Sequence, residues 1–176
     1  MALQPIEYAR FSSRVFHLFD EQWLLLTGGD FAADQFNTMT ISWGSLGIIW
    51  GRPFVQVVVR PTRYTHEFME RFETFTVTAF PERFHRALNV LGSKSGRTGN
   101  KIAEVDLTPV AATQIAAPAF AEAELVFECR KIYRSTFDPR HFVDPAIDAN
   151  YPLKDYHTVY FGEILALRGE AKYAAA

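Results

Sequence analysis

The chain has 176 residues, of which 18 are basic (Lys or Arg) and 20 are acidic, so its net charge at pH 7 is −2. This length predicts one domain over residues 1–176, and the near-neutral charge gives no bulk electrostatic reason to bind nucleic acid or an anionic membrane. The single cysteine excludes an internal disulfide, and neither a secretory leader nor an apolar run of ~20 residues is visible. Together these features predict a cytoplasmic protein without nucleic-acid or membrane partners.

Strand patterns dominate the chain. Residues 14–19 and 23–27 flank a short polar link and predict a hairpin, which Gly28 and Gly29 are expected to end. Glycines at positions 44, 47 and 51 are likewise expected to interrupt the apolar stretch after residue 43. β-Branched, aromatic or alternating residues predict further strands at residues 39–43, 54–59, 75–80, 124–134 and 158–168.

Helical signals are few and short. Thr65 is expected to cap a helix over residues 66–72, and a second helix is expected to end at Gly92. A third short helix is expected at residues 99–104, whereas residues 135–156 have no periodicity and contain three prolines, as in a lid, a dimer arm or a binding loop. Many strands with few helices predict a mainly β protein built on a closed or partly closed antiparallel barrel.

Three familiar motifs are incomplete in this sequence. His66 begins a pattern like that of a zinc-protease helix, but Glu70 stands where the second histidine ligand would be needed. Residues 92–98 read GSKSGRT, which is one residue short of a phosphate-binding loop and has arginine in place of its lysine. Because the zinc-protease pattern is incomplete, we expect no metal site. No Gly-x-Gly-x-x-Gly motif follows a strand, so we expect no Rossmann dinucleotide site either.

Hydroxyl side chains within residues 37–44 (NTMTISWG) form the first candidate binding segment. On a strand, Thr38, Thr40 and Ser42 share one face, where they could hydrogen-bond a heterocycle or a polyol. The glycine at position 44 would let a ligand approach the backbone. An edge strand with solvated hydroxyls explains the same pattern, because polar alternation is usual in half-exposed strands.

Two further segments gather cations and hydroxyls near predicted helix ends. Arg60 and Arg63 lie at the junction of a buried strand and a helix, where two guanidiniums make a competent phosphate site. A capped helix with surface arginines is the alternative. Residues 93–97 (SKSGR) suit either an anion-binding nest or an ordinary solvated loop. The three segments favour a binding site more strongly together than any one of them does alone.

His157 lies between the long loop and the last predicted strand. It could act on a substrate or on a nicotinamide, although a lone histidine beside a strand more often has a structural role. Cys129 is expected to be a buried strand residue.

Four motifs occur in order along the chain: NTMTISWG at 37–44, VRPTRYTHE at 59–67, LGSKSGRTGNK at 91–101 and YHTVYFGE at 156–163. Together they resemble the flavin reductase–like, FMN-binding split-barrel family, which includes flavoredoxin, over roughly residues 13–168. The resemblance implies a split β-barrel, Greek-key-like and antiparallel, that forms a homodimer. It also implies that FMN binds without covalent attachment near the dimer interface.

The same resemblance implies roles for individual residues. The isoalloxazine ring and ribityl chain would be lined by Asn37, Met39, Thr40, Ser42 and Trp43. The phosphate and the ribityl chain would be contacted by Arg60, Arg63 and Thr65, together with Ser93, Lys94, Ser95 and Gly96. His157 matches a histidine that lies near the nicotinamide in related reductases, although the usual Gly-Asp-His reads Asp-Tyr-His here.

These roles lead to three functional hypotheses. The first is an FMN-dependent oxidoreductase that passes hydride from NAD(P)H to FMN and electrons on to an acceptor, with His157 as the catalytic candidate that positions the reactants. The alternative is a non-enzymatic FMN-binding electron carrier or flavin-storage protein that lacks its own NAD(P)H site. A third class is a PAS-like or barrel-type module that binds another flat ligand.

Overall fold

The computed structural model describes residues 3–175, a range in which strands outnumber α-helices. The strands are β1 (Gln4–Pro5), β2 (Leu24–Asp30), β3 (Gln35–Ile41), β4 (Gly44–Ile49), β5 (Arg52–Val59), β6 (Thr74–Ala79), β7 (Pro109–Val110), β8 (Ala119–Phe120), β9 (Leu125–Thr136) and β10 (Thr158–Gly169). The α-helices are α1 (Val15–Asp20), α2 (Tyr64–Arg71) and α3 (His85–Ser93), and 3-10 turns lie at Tyr8–Arg10, Glu82–Phe84, Lys101–Glu104, Pro139–His141, Pro145–Asn150 and Ala171–Tyr173. No helix in the described range is long and apolar enough to cross a membrane.

Eight strands form one antiparallel sheet. Its order is β3-β2-β6-β9-β10-β5-β4, and β1 pairs with the end of β10, whereas β7 and β8 form a separate ribbon. Within residues 3–175 no pairing joins β3 to β4, so the sheet is open between these two strands. The pairing of β9 with β10 has register shifts at Phe161/Gly162 and at Ile164/Ala166, and such irregularities bend a sheet. This architecture confirms the predicted mainly β, antiparallel fold.

One buried cluster fills the inside of the curved sheet. It takes Met39 from the edge strand β3, Phe127 from β9 and Val57 from β5, and Leu46 of the other edge strand, β4, packs against it. A sheet can do this only if it curls around the cluster, as a barrel does. Gly162 is required at the closest approach, since a Cβ there would lie 2.3 Å from Cζ of Phe75. Cys129 lies in this core as predicted, and burial raises the pKa of its thiol.

The other face of the sheet is covered by α3 and the chain that follows it. Leu88 and Leu91 of α3 pack with Leu25 of β2 and Val126 of β9 in a second apolar cluster. Helix α3 also contacts β3, because the Thr40 hydroxyl donates a 2.5 Å hydrogen bond to the carbonyl of Leu88. The C-terminal end of α3 is thereby held beside β3, where the candidate site forms.

The predicted hairpin at the start of the chain is wrong. Residues 14–19 contribute to α1 instead of a strand, because Val15, Leu18 and Phe19 follow the i, i+3, i+4 spacing of a helix. Strand β2 then continues through both glycines to Asp30. A Cβ at Gly28 would lie 3.1 Å from the sulfur of Met69, so this glycine lets α2 pack closely on the strand and does not break it.

The glycines at 44 and 47 do not interrupt the chain either. They lie in β4, which pairs with β5 across a tight turn at Trp50 and Gly51. Both turn residues have positive φ, 51° and 71°, as a type I′ hairpin turn requires. Glycine at position 51 therefore serves the turn that joins the two strands.

Three predicted helix boundaries also change. Helix α2 begins at Tyr64, so Thr65 lies inside the helix and Arg63 precedes it as the N-cap residue. Gly92 lies inside α3, whose cap residue is Lys94. The third helix is a single 3-10 turn at Lys101–Glu104, held by the Asn100 side chain, which accepts from two backbone N–H groups. Each of these changes amounts to one or two residues at a helix end, which is where sequence patterns are least exact.

Candidate functional site

A cavity of about 90 Å³ lies where the start of α2, the end of α3 and β3 meet. We term it the cationic cradle. Its lining residues are Asn37, Thr62, Arg63, Tyr64, Thr65, Ser93, Lys94, Ser95, Gly96 and Lys101. The structure thus brings together residues from all three predicted segments, which are separated by dozens of positions in the sequence.

Two neighbouring cations line the cradle, the half-buried Arg63 and the buried Lys101. The guanidinium of Arg63 donates to the carbonyl of Gly92 at 2.5 Å, and Nζ of Lys101 donates to the carbonyl of Leu91 at 2.6 Å and of Lys94 at 3.1 Å. These carbonyls belong to the last turn and the cap of α3, where a helix lacks internal donors and its dipole is negative. The end of α3 therefore stabilises both cations in place.

The charge of these two cations is not neutralised by a carboxylate. Neither Arg63 nor Lys101 forms an ion pair within the described range, and only 4% of Lys101 is exposed. Burial and the neighbouring Arg63 lower the pKa of Lys101 to about 8, and burial together with Arg60 lowers the pKa of Arg63. Since two like charges in a small cavity repel each other, a bound dianion would lower the energy of the pair.

Asn37 and Thr65 form the polar wall of the cradle. The Asn37 amide donates to the Thr65 hydroxyl at 2.7 Å and to the carbonyl of Thr38 at 3.3 Å. Thr65 accepts this bond and so keeps its own hydrogen for another acceptor. The amide oxygen of Asn37 faces Gly96, where a Cβ would lie only 2.3 Å away, so glycine is needed at that position.

The rim of the cradle carries further cations that are already paired. Lys94 pairs with Glu104, and Arg97 pairs with Glu67 at 2.6 Å and donates to the carbonyl of Thr62 at 3.0 Å. All four charged side chains are exposed, so each ion pair contributes little and is screened by salt. The rim cations are therefore largely neutralised, and Arg63 and Lys101 are the cations of the cradle that remain without a carboxylate partner in the described range.

A larger cavity of about 500 Å³ adjoins the cradle and shares Asn37, Tyr64, Gly96 and Lys101 with it. Aromatic rings and one further cation line the rest of this cavity, among them Phe36, Phe68 and Arg71. An organic group attached to an anion in the cradle therefore has room on this side as well as along β3.

Arg60 does not line the cradle. Its guanidinium pairs with Asp155 at 2.9 Å, donates to the carbonyl of Asn150 at 2.8 Å and lies 4.9 Å from the centre of the Tyr151 ring. The chain turns between Arg60 and Arg63, since the Arg63 amide donates to the Arg60 carbonyl at 3.0 Å, and the two side chains make separate sets of contacts. Sequence alone could not assign the two arginines to different partners.

His157 lies beside Trp43 rather than in the cradle. The two ring centres are 5.3 Å apart, and Nδ1 of His157 lies 2.9 Å from the hydroxyl of Tyr151. His157 is 8% exposed, whereas Trp43 is 49% exposed and presents its indole to solvent. Burial, and to a lesser extent Arg60, lower the pKa of His157 to about 4 in spite of the nearby Asp155. The imidazole is therefore neutral at physiological pH.

Strand β3 runs from the cradle towards the contact between Trp43 and His157, which we term the aromatic end of the site. From Asn37 to Ser42 an extended chain spans roughly 17 Å. Between them, Met39 is buried in the barrel core and the Thr40 hydroxyl bonds to the backbone of α3. Ser42 is half-buried and forms no hydrogen bond to the part of the chain that the structure describes. The predicted strand at residues 39–43 is therefore wrong in its bounds, since β3 begins at Gln35 and ends at Ile41, before Ser42 and Trp43. Asn37 lies at one end of the candidate site, and Ser42 and Trp43 lie at the other.

Sequence reasoning did not single out two residues of the site. Lys101 ends the motif LGSKSGRTGNK, which offered a signal, but nothing local indicates that its ammonium is buried beside Arg63. Tyr151 lies in the aperiodic segment before the last strand, and only the folded chain brings its hydroxyl to His157.

The antiparallel split barrel is the fold of the FMN-binding split-barrel proteins. The chain belongs to the flavin reductase like domain family, whose model matches residues 17–175. Among curated proteins, an uncharacterised protein of Pyrococcus abyssi (strain GE5 / Orsay) is 25% identical over 136 residues, which is 76% of this chain and 66% of the relative. The match therefore spans just under two thirds of that relative.

Three solved structures share the fold along most of the chain. An FMN-binding domain of a flavin reductases-like enzyme from Shewanella baltica OS155 has a TM-score of 0.70 at 16% identity, covering 97% of this chain and 78% of that one. Flavoredoxin of Desulfovibrio vulgaris (Miyazaki F) has a TM-score of 0.67 at 21% identity, with 88% and 73% covered. An NADH:FAD oxidoreductase of Streptomyces globisporus C-1027, in complex with NAD and FAD fragments, has a TM-score of 0.63 at 19% identity, with 88% and 78% covered.

Proposed function

We propose that the protein is an FMN-dependent oxidoreductase that takes reducing equivalents from NAD(P)H and passes them to an acceptor. The observation that carries this proposal is a pair of cations, the half-buried Arg63 and the buried Lys101, which lack a carboxylate partner within residues 3–175 and line a cavity of about 90 Å³. Bound FMN would supply the redox chemistry, since its ring accepts a hydride and releases electrons.

In this proposal the cradle binds the phosphate. Arg63 and Lys101 supply two charge-assisted hydrogen-bond donors, and the Thr65 hydroxyl supplies a third donor. Ser93 and Ser95 also line the cavity, and the Ser95 hydroxyl, which accepts from the Arg97 amide at 3.3 Å, keeps its hydrogen for a phosphate or a ribityl chain. The absence of a side chain at Gly96 leaves space for this group. The residues present therefore fit a phosphate monoester.

The aromatic end of the site would hold the isoalloxazine and the nicotinamide. The exposed indole of Trp43 offers a face for a planar ring, and Ser42 offers a hydroxyl beside it. His157, neutral and hydrogen-bonded on one side, would orient the reacting ring without exchanging a proton. Hydride transfer to a flavin needs no acid or base from the protein, so the residues of this chain act through binding and orientation.

A homodimer is part of the same proposal. Large apolar side chains are exposed on the β4–β5 hairpin, at Ile48 and Trp50, and on the long loop, at Val143 and Leu153. Exposed apolar side chains of this size favour association of two copies. The buried free thiol of Cys129 fits the reducing cytoplasm, where we place the protein.

The experiment that tests the proposal is the visible absorption spectrum of the purified protein, with and without added FMN, followed by anaerobic mixing with NADH and with NADPH. Loss of the flavin band after mixing is the expected result. A protein that binds FMN but keeps its flavin band with both nucleotides would instead be an electron carrier, the reading favoured by Asp155 and Tyr156 in place of the usual Gly-Asp before His157. A protein that stays colourless and does not quench FMN fluorescence would contradict the proposal altogether.

A further inference from the structure

A buried hydrogen bond joins the long loop to the aromatic end of the site. Tyr151 follows the 3-10 turn Pro145–Asn150 and is 2% exposed, and its hydroxyl lies 2.9 Å from Nδ1 of His157. The same ring of His157 lies next to Trp43. A residue of the loop thus contacts a side chain that borders the proposed ring site.

The direction of this hydrogen bond follows from the partners that each group has. The Tyr151 hydroxyl has no other acceptor among the described residues, so a satisfied hydroxyl must donate its hydrogen to Nδ1. A neutral imidazole that accepts at Nδ1 carries its hydrogen on Nε2. Nε2 has no partner within residues 3–175, so this N–H group remains a free donor.

Tyr151 is itself held on two sides. The guanidinium of Arg60 lies over one face of its ring, and the same guanidinium is anchored to Asp155 and to the carbonyl of Asn150. The Phe142 ring lies nearly parallel to it at 6.0 Å and 16°. The phenol therefore has little freedom to leave His157, and the loop is fastened to the end of β5 through Arg60.

We infer that Tyr151 is a positioning residue that fixes His157 as the Nε2–H tautomer, so that a hydrogen-bond donor is presented beside the Trp43 indole. The Nε2–H group of His157 would recognise a carbonyl oxygen of a planar ring ligand, such as the carboxamide oxygen of a nicotinamide. The choice of this ligand rests on the proposed function, whereas the tautomer does not. Had Nδ1 carried the hydrogen, the free nitrogen would be an acceptor and would repel such a carbonyl.

The test compares two variants that each lose one hydroxyl. Tyr151→Phe keeps the ring between Arg60 and Phe142 and removes only the donor to His157. Tyr156→Phe is the matched control, because that hydroxyl bonds to Asp148 at 2.8 Å and not to His157. Long-range ¹H–¹⁵N NMR of histidine-labelled, ligand-free protein reports which ring nitrogen carries the hydrogen, and His157→Gln assigns the signal.

We expect the Nε2–H tautomer in the wild type and in Tyr156→Phe, and a mixture of tautomers in Tyr151→Phe. A hydrogen on Nδ1 in the wild type, or an unchanged His157 signal in Tyr151→Phe, would overturn the inference. Because the measurement needs no flavin or nicotinamide, it stands apart from the outcome for the proposed function.

A kinetic readout then tests the ligand. In Tyr151→Phe, the NAD(P)H concentration for half-maximal flavin reduction should rise roughly three- to tenfold, as for loss of one neutral hydrogen bond. FMN affinity should not change, and Tyr156→Phe should behave as the wild type. Equal NAD(P)H dependence in all three proteins would remove the carbonyl ligand from the inference. Absence of reduction even in the wild type, with the expected tautomers, would contradict the proposed function while the role of Tyr151 in the tautomer holds.

Discussion

The guanidinium of Arg63 donates a 2.5 Å hydrogen bond to the carbonyl oxygen of Gly92 and so joins the start of α2 to the last turn of α3. Lys101 reaches the same turn through the carbonyl of Leu91. The carbonyl dipoles offset part of the positive charge but leave the half-buried Arg63 and the buried Lys101 without an anion in the described range. The cradle is therefore organised before any ligand arrives, and a phosphate needs to order few side chains on binding.

The first prediction separates the two arginines of the RPTR motif. Arg63→Ala should raise the Kd for FMN by about 10- to 100-fold, since a hydrogen bond to a charged group contributes roughly 1.5–3 kcal/mol. Arg60→Ala should change FMN affinity much less, because that guanidinium is bound to Asp155. Quenching of FMN fluorescence measures both.

Arg86→Ala is the control for loss of one positive charge, since Arg86 is an exposed residue of α3. If Arg60→Ala weakened FMN binding as strongly as Arg63→Ala, the assignment of the phosphate to the cradle would be wrong.

The second prediction concerns pH. The pKa of Lys101 in the free protein is about 8, so below pH 8 the ammonium is charged and above it the charge is progressively lost. FMN affinity should then fall by up to about tenfold per pH unit above pH 8. Riboflavin, which has no phosphate, should show no such slope.

Lys101→Gln should abolish the slope in a pH series of FMN titrations. Lys94→Gln should keep it, because Lys94 lies on the rim and is paired with Glu104. A slope that survives in Lys101→Gln would assign the titration to another group.

The third prediction tests the steric role of Gly96. In Gly96→Ala the new Cβ would lie 2.3 Å from the amide oxygen of Asn37 and 3.0 Å from the Tyr64 ring, so one wall of the cradle must move. We expect FMN affinity to fall by about tenfold, equal to roughly 1.4 kcal/mol, with little change in thermal stability. Thr98→Ala, in the same exposed loop, should bind FMN as the wild type does. Wild-type affinity in Gly96→Ala would show that the ligand does not need this space.

The fourth prediction links His157 to acid stability. Its pKa is about 4 in the folded protein, below the ordinary value near 6.5, so the unfolded chain takes up the proton first as the pH falls. The free energy of unfolding should therefore decrease between pH 6.5 and pH 4, by on the order of 1–3 kcal/mol from this residue, and be unaffected by it above pH 6.5.

Urea unfolding at several pH values measures this dependence. His157→Gln should flatten it, whereas His141→Gln, at an exposed position in the long loop, should leave it unchanged. An equally steep dependence in His157→Gln would place the acid-sensitive group elsewhere.

Most long strands could be predicted from the sequence, and the reason is local. Residues 54–59 and 75–80 are β-branched or alternate with period two, and the structure forms β5 and β6 there within one or two residues. The strand predicted at residues 14–19 is wrong, because six residues are too few to distinguish a helical spacing from the alternation of a strand. Glycines 28 and 44 were read as breaks, whereas in the fold they make room for Met69 and for the Phe19 ring.

The candidate site, like the fold, could be predicted from the sequence only in part. The residue types and their spacing established that hydroxyls, cations and glycine recur in three segments, and this chemistry is a property of the side chains themselves. Tertiary structure alone decided that Arg63 and Lys101 share one cavity, that Arg60 pairs with Asp155 instead, and that Tyr151 reaches His157. Burial and the direction of a side chain at a turn depend on neighbours from distant parts of the chain, so no local pattern can specify them.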